Sequence, residues 1–429
     1  MEYVNLAMPS EKCSFPEAAI RGLGSLQGLF FPAFIPVLEK EKILALPRMD
    51  RCLQVLKPFV EPELSPDLLA EILEEAFSFE ASVKKLEPSA KSNNAAIFAL
   101  ELFNGPSLAF KDFGARFMAS CLSRIKGPGP MTILTATSGD TGAAVAHAFF
   151  GMTGIKVVVL YPEGKISRAQ EQLFCSLGGN IHTIAVAGSF DDCQAMAKAA
   201  FDNTGLVKKA GLNSANSINV ARLVAQITYY WDLCASLGHT GKEELVVSVP
   251  SGNFGNLTAG LMAKAMGCPI KGFVAATNIN DTVPRYLHSG KWQPLPTRAT
   301  SSNAMDVSKP NNWPRAEKIL KDQGWTLDAI SVNEEESFDA IRELDGLGYE
   351  AEPHSAVAYA ALKRVLKPGQ RGAFLCTAHP AKFAEAIQIA LGKAPVLPEA
   401  IKKVMDKKNL SVKMAVDNGA LYTFLMDLV

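Results

Sequence analysis

From about residue 130 the chain alternates short β-branched apolar runs with stretches of helical periodicity, and this alternation restricts the fold more than any other feature. MTILTAT (131–137), IKVVVLYP (155–162), IHTIAVAG (181–188), LVVSVP (245–250) and IKGFVAAT (270–277) read as strands. Between and after them, 140–150, 167–177, 190–201, 218–236 and 256–266 read as helices. Further on come helices near 316–321, 334–344, 355–365 and 381–391, with a strand AFLC at 373–376. Apolar runs without polar alternation belong to strands covered on both faces, so the expected fold is α/β with mostly parallel sheets. The 429 residues, 48% of them hydrophobic, supply core for two to three domains at about 150 residues each.

The first 85 residues break this pattern. Pro16, Pro32, Pro36, Pro47, Pro58, Pro62 and Pro66 punctuate them, and a helical pattern covers 66–77. They are expected to form a separate N-terminal unit, 1–85. A core of two α/β lobes is expected over 86–395, the smaller lobe being roughly 131–205, with a peripheral segment at 396–429. The stretch 291–313, rich in Pro, Ser, Thr and Asn, is long for a connection, and such loops are usually functional or mobile.

Charge excludes one class of partner. Lys and Arg total 43, as do Asp and Glu, and no basic stripe occurs, so nucleic acid is not an expected ligand. The opening MEYVNLAMPSEKCSF lacks a basic region followed by an apolar run, and no segment has the roughly 20 apolar residues of a membrane span. A cytoplasmic protein without membrane contact is expected. Eight scattered cysteines form no C-x-x-C pair and read as reduced, buried thiols. No His, Cys and carboxylate cluster has metal-ligand spacing, so no metal is expected.

In open α/β sheets ligands sit at the carboxyl ends of strands. TATSGDTGAA follows the strand at 131–137 and offers Thr137, Ser138, Asp140 and Thr141 at a helix start, as an anion-binding turn or as an ordinary helix cap. VPSGNFGNLTAG follows 245–250, where Gly252, Asn253, Phe254, Gly255 and Asn256 form a glycine-rich loop able to surround a phosphate or simply to turn. Neither G-x-x-x-x-G-K-[ST] nor G-x-G-x-x-G occurs, so such a phosphate would not be part of ATP or NAD. CTAHPAKF places Thr377 directly after a strand, with His379 either a catalytic base or a turn residue. LNSANSINVARL brings Asn216 and Ser217 to the start of a long helix bearing Arg222, and Lys165 and Arg168 are cations near another strand end.

Lys111 lies inside the apolar, aromatic stretch SLAFKDFGARF. It either snorkels to the surface along its stem or is held dry, in which case its amine loses its proton and becomes a nucleophile. A dry lysine, an isolated phosphate loop and an α/β sheet together meet the needs of pyridoxal 5′-phosphate.

NGPSLAFKDFGARF, ATSGDTGAA, LNSANSIN, VPSGNFGNLTAG, NAMDVSKPNNWPR and TAHPAKF, in this order, resemble the threonine synthase family, as does the opening GLGSLQGLFFP with that family's N-terminal domain. The resemblance covers the chain to about residue 395. It implies the two-lobed fold of the tryptophan synthase β subunit (PLP fold type II) and pyridoxal 5′-phosphate carried as an imine on Lys111. It also implies that Gly252 to Asn256 hold the cofactor phosphate and that Thr377 faces the pyridine nitrogen. Thr137, Ser138, Asp140 and Thr141 would bind the substrate carboxylate; related lyases often have Asn, contacting the cofactor's phenolic oxygen, where this chain has Asp140. The implied reaction turns O-phospho-L-homoserine and water into L-threonine and phosphate, with Lys111 moving protons. Lys165, Arg168, Asn216 and Ser217 are candidates for the substrate phosphate, and the chain is expected to be a monomer or small homo-oligomer. Two alternatives share these residues: a phospho-lyase releasing a 2-oxo acid, and a non-catalytic phosphometabolite-binding protein.

Overall fold

A computed structural model describes residues 1–86, 95–127 and 129–428. Its strands are, in chain order, β1 (Tyr3–Asn5), β2 (Met8–Cys13), β3 (Phe30–Pro32), β4 (Ser82–Lys85), β5 (Ala96–Glu101), β6 (Met131–Ala136) and β7 (Ile155–Pro162). There follow β8 (Ile181–Val186), β9 (Leu212–Asn213), β10 (Leu245–Pro250), β11 (Gly272–Thr277), β12 (Asp328–Ser331), β13 (Arg371–Cys376) and β14 (Val412–Met414).

Two sheets frame the molecule. One has the order β12-β11-β10-β13-β5-β4 and is parallel except for β4 at its edge. The other, β14-β8-β7-β6-β9, is parallel throughout. All six residues of β6 and of β10 are buried, which is why those sequence runs carry no polar alternation. β9 and β14 extend the second sheet beyond 131–205, β14 coming from the last residues of the chain.

The N-terminal residues form a three-stranded antiparallel sheet, β2-β1-β3, with the helices Phe15–Arg21, Arg48–Val60 and Pro66–Ala76. Tyr3, Phe15, Phe59 and Leu69 share one apolar cluster with Phe113 and Phe117 of the helix Lys111–Ile125. Buried polar links tie this unit to the core, among them two that use arginines. Arg51 Nε donates to Asp232 Oδ1 at 2.9 Å, and Arg315 donates through Nε and Nη2 to the Phe30 carbonyl at 3.1 and 2.5 Å. The unit boundary expected at residue 85 adjoins residues 87–94, which lie outside the described residues.

Two expected helices are interrupted. The stretch read as 218–236 is two helices, Val220–Ala225 and Thr228–Ser236. Gln226 Nε2 donates to the Arg222 carbonyl at 2.8 Å, taking the acceptor that its own backbone N–H would use in an α-helix. The N–H of Gln226 turns instead to Leu223 O. The stretch read as 381–391 begins as a 3₁₀ turn, Pro380–Phe383, and becomes α-helical at Ala384–Leu391. All eight cysteines are buried and unbridged. Among the described residues no helix is long and apolar enough to cross a membrane.

Candidate active site

Between the two sheets lies a cavity of about 560 Å³. The exits of β6, β10 and β13 all open into it, through Thr137, Gly252 and Thr377.

Lys111 is the first residue of the helix Lys111–Ile125. The backbone before it is clamped against the exit of β13: Phe110 N–H donates to Thr377 O at 2.8 Å, and His379 N–H to Leu108 O at 3.0 Å. This pairing forces Leu108 into a left-handed conformation, φ 56°. Lys111 is thereby aimed into the cavity with 14% of its side chain exposed. Burial lowers its pKa to about 8; Asp140 opposes the shift, and the charges of Lys382 and Arg222 add to it.

Asp140 opens the helix Asp140–Phe149, and its Oδ2 lies 4.0 Å from Lys111 Nζ. Its Oδ1 meets Lys382 Nζ at 2.6 Å and accepts from Gln170 Nε2 at 3.0 Å. Burial would raise this carboxyl, but Lys382, Lys111 and Gln170 together hold it well below the usual carboxylate range. Just before it, Thr137 Oγ1 accepts the N–H groups of Gly139 and Gly142 at 2.9 and 2.8 Å, which fixes the turn.

The glycine-rich loop after β10 ends in Phe254 at φ 61°, and the helix Gly255–Ala265 starts there, so its first amides face the cavity without an intrahelical acceptor. At Gly252 a Cβ would stand 2.7 Å from Met305 Cα and 2.9 Å from Ala304 O, so the 303–309 segment approaches the loop too closely for any side chain. Asn256 Oδ1 accepts from the hydroxyls of Tyr229 and Tyr230, both at 2.6 Å, whereas its Nδ2 is buried without a partner. Asn253 Nδ2 donates to Ser217 Oγ at 2.5 Å, and Thr135 Oγ1 donates to Asn216 Oδ1 at 2.7 Å.

Thus Lys111, Thr137, Ser138, Asp140, Thr141, Asn216, Ser217, Gly252 to Asn256 and Thr377 share one cavity wall. Lys165 and Arg168 do not. Both side chains are exposed, and Arg168 donates to Met405 O at 3.2 Å, because the turn after β7 carries them past the cavity. Sequence reading passed over Lys382 although TAHPAKF contains it; a lysine six residues past a strand carries no sign that it points inward. Arg222 is 2% exposed yet on the wall, and Asn303 to Lys309 form a further side of it. His379 accepts the N–H of Ala381 at 3.1 Å and caps the 3₁₀ turn.

Comparison with known proteins agrees with this geometry. Family models match three stretches: "Pyridoxal-phosphate dependent enzyme" over 81–378, "Threonine synthase N terminus" over 2–77 and "Threonine synthase, C-terminal" over 355–424. Threonine synthase of Escherichia coli (strain K12) is 51% identical over 433 residues, with 100% of each chain covered. That of Haemophilus influenzae is 51% identical over 430 residues, covering 99% of this chain and 100% of its own. The crystal structure of threonine synthase from Escherichia coli matches with a TM-score of 0.93 at 50% identity, over 100% of both chains. A PLP-bound threonine synthase from Brucella melitensis matches with a TM-score of 0.91 at 30% identity, over 100% of this chain and 99% of its own. The chain belongs to the threonine synthase family of pyridoxal-phosphate-dependent enzymes.

Proposed function

We propose that this protein converts O-phospho-L-homoserine and water to L-threonine and phosphate at the cavity between its two sheets, with pyridoxal 5′-phosphate as cofactor. The observation that carries the reading is the meeting of a largely buried lysine with a glycine-rich loop at a helix start, on the wall of one cavity. The residues fit the cofactor. The unpartnered Asn256 Nδ2 and the first amides of the helix Gly255–Ala265 are donors awaiting an anion, and the cavity has room for cofactor and substrate together.

When bound, pyridoxal 5′-phosphate supplies the electron sink that makes the carbon-bound protons of the amino acid acidic. The chain's own groups do the rest. Lys111 would carry the cofactor aldehyde, and its amine, when free, would move protons at Cα and Cβ of the substrate. Gly252 to Asn256 would hold the cofactor phosphate, and Thr377 would be the hydroxyl offered to its ring nitrogen. The turn Thr137–Thr141 takes the substrate carboxylate. Asn216 and Ser217, with the wall cations Arg222 and Lys309, take the phosphate that leaves. A monomer or small homo-oligomer in the cytoplasm suits this role.

Incubation of the cofactor-loaded protein with O-phospho-L-homoserine, followed by separation of the products, tests the reading. Threonine and phosphate in equal amounts are expected. Release of 2-oxobutyrate as the main product would sink it in favour of the phospho-lyase alternative.

A further inference from the structure

Lys382 has no place in the scheme just given, yet it is a buried cation on the carboxylate that faces the catalytic lysine. It stands on the 3₁₀ turn Pro380–Phe383, and its side chain is wholly buried. Its Nζ meets Asp140 Oδ1 at 2.6 Å and donates to Ser107 O at 2.9 Å. The other oxygen of the same carboxylate faces Lys111 Nζ at 4.0 Å. Asp140 therefore stands between two lysines, one sealed in the core and one open to the cavity. Burying an ammonium costs several kcal/mol before pairing, and an apolar chain of similar size would fill the space without that cost.

We propose that Lys382 is a positioning residue that neutralises Asp140 from behind, so that the carboxylate orients the Lys111 amine without fixing a proton on it. The proposal rests on the reading of Lys111 as the cofactor-bearing amine. Without Lys382, an unbalanced carboxylate would hold Lys111 as an ammonium, unable to attack an aldehyde or accept a proton. The direction of each charge agrees: Asp140 raises the pKa of Lys111, while Lys382 and Arg222 lower it. Other titratable groups surround the cluster. Buried Asp112 faces Arg222 and Lys382, and His147 and His379 lie within the field of Lys382. Asp191, Asp306, Lys309 and His354 stand elsewhere on the cavity wall. All of these are unchanged in the variants below.

The test uses the full chain freed of cofactor. Acetic anhydride labels Lys111 only as the neutral amine, and peptide mapping reads the extent of labelling against pH. Half-maximal reactivity is expected near pH 8 in the unaltered protein. Lys382→Gln keeps a donor for Asp140 and Ser107 but removes the charge. It should move the midpoint up by about one unit, a tenfold loss of reactive amine at neutral pH. Lys382→Arg keeps the charge and should stay at the original midpoint, while Asp140→Asn should move it down. A Lys382→Gln midpoint equal to or below that of the unaltered protein overturns the proposal. So does a Lys382→Arg midpoint displaced like that of Lys382→Gln, since that outcome indicates packing alone. Borohydride trapping of added pyridoxal 5′-phosphate separates this result from the underlying reading. Trapping at Lys111 with an unshifted Lys382→Gln midpoint refutes only the role of Lys382. Absence of trapping at Lys111 in the unaltered protein refutes both.

Discussion

At Lys111 the cost of burial becomes reactivity. An exposed lysine near its ordinary value of about 10.4 offers less than about one neutral amine in a thousand at pH 7. Held at about 8, Lys111 offers about one in ten. Only the neutral form attacks an aldehyde, so the rate at which the apoprotein takes up pyridoxal 5′-phosphate should rise about tenfold per pH unit below 8 and level off above it. The growth of visible absorbance after mixing reads this directly. Lys111→Ala should remove that absorbance and lower kcat/KM by about 10³-fold or more. At the loop after β10, Asn256→Ala deletes a buried donor that has no partner and the acceptor 2.6 Å from the hydroxyls of Tyr229 and Tyr230. Its cofactor affinity, measured by titration of the apoprotein, should fall by about 1–3 kcal/mol.

Among the elements, most interior strands were legible, whereas the interior strand β5 and the edge strands were not. IKVVVLYP and LVVSVP coincide with β7 and β10, because a strand buried on both faces leaves an unbroken apolar run. β12 and β14 are four and three residues long, stand at sheet edges and are half exposed, so no run marks them. The break at Gln226 was hidden for another reason: it depends on which carbonyl a side-chain amide chooses, and Gln is otherwise a good helix former. The loop after β10 makes an element-scale prediction. Gly252→Ala sets a methyl group against Met305 and Ala304 backbone, so either the loop or the 303–309 segment must move. The expected result is a protein destabilised by about 1–3 kcal/mol in urea, with weaker cofactor binding than that loss alone would give.

Over the whole molecule the N-terminal unit braces the glycine-rich loop after β10 at second hand. Arg315 donates to the Phe30 carbonyl of β3 and, through Nη1 at 2.8 Å, to Asn312 Oδ1. The N–H of Asn312 in turn reaches Asn253 O at 3.3 Å. Arg315→Leu should therefore cost about 1–3 kcal/mol in urea unfolding and also loosen the cofactor, because the carbonyl of Phe30 and the amide of Asn312 both lose a partner. Cofactor at about 100 times the Kd of the unaltered protein should raise that protein's stability by about 2.7 kcal/mol, and the increment at the same cofactor concentration should shrink in Arg315→Leu.

By itself the sequence determined the alternating α/β layers, the strand ends that carry polar residues, and the presence of both a lysine within an apolar stretch and a glycine-rich loop at a helix start. These are local matters, since side-chain periodicity and turn chemistry act over a few neighbouring residues. Only the tertiary structure decided that Lys382 would close on Asp140 while Lys165 and Arg168 turned outward. Which cations share a cavity is settled by how the strand exits of the two sheets are brought together. That packing joins residues far apart in the chain at distances of a few ångströms, where desolvation and Coulomb forces are strongest.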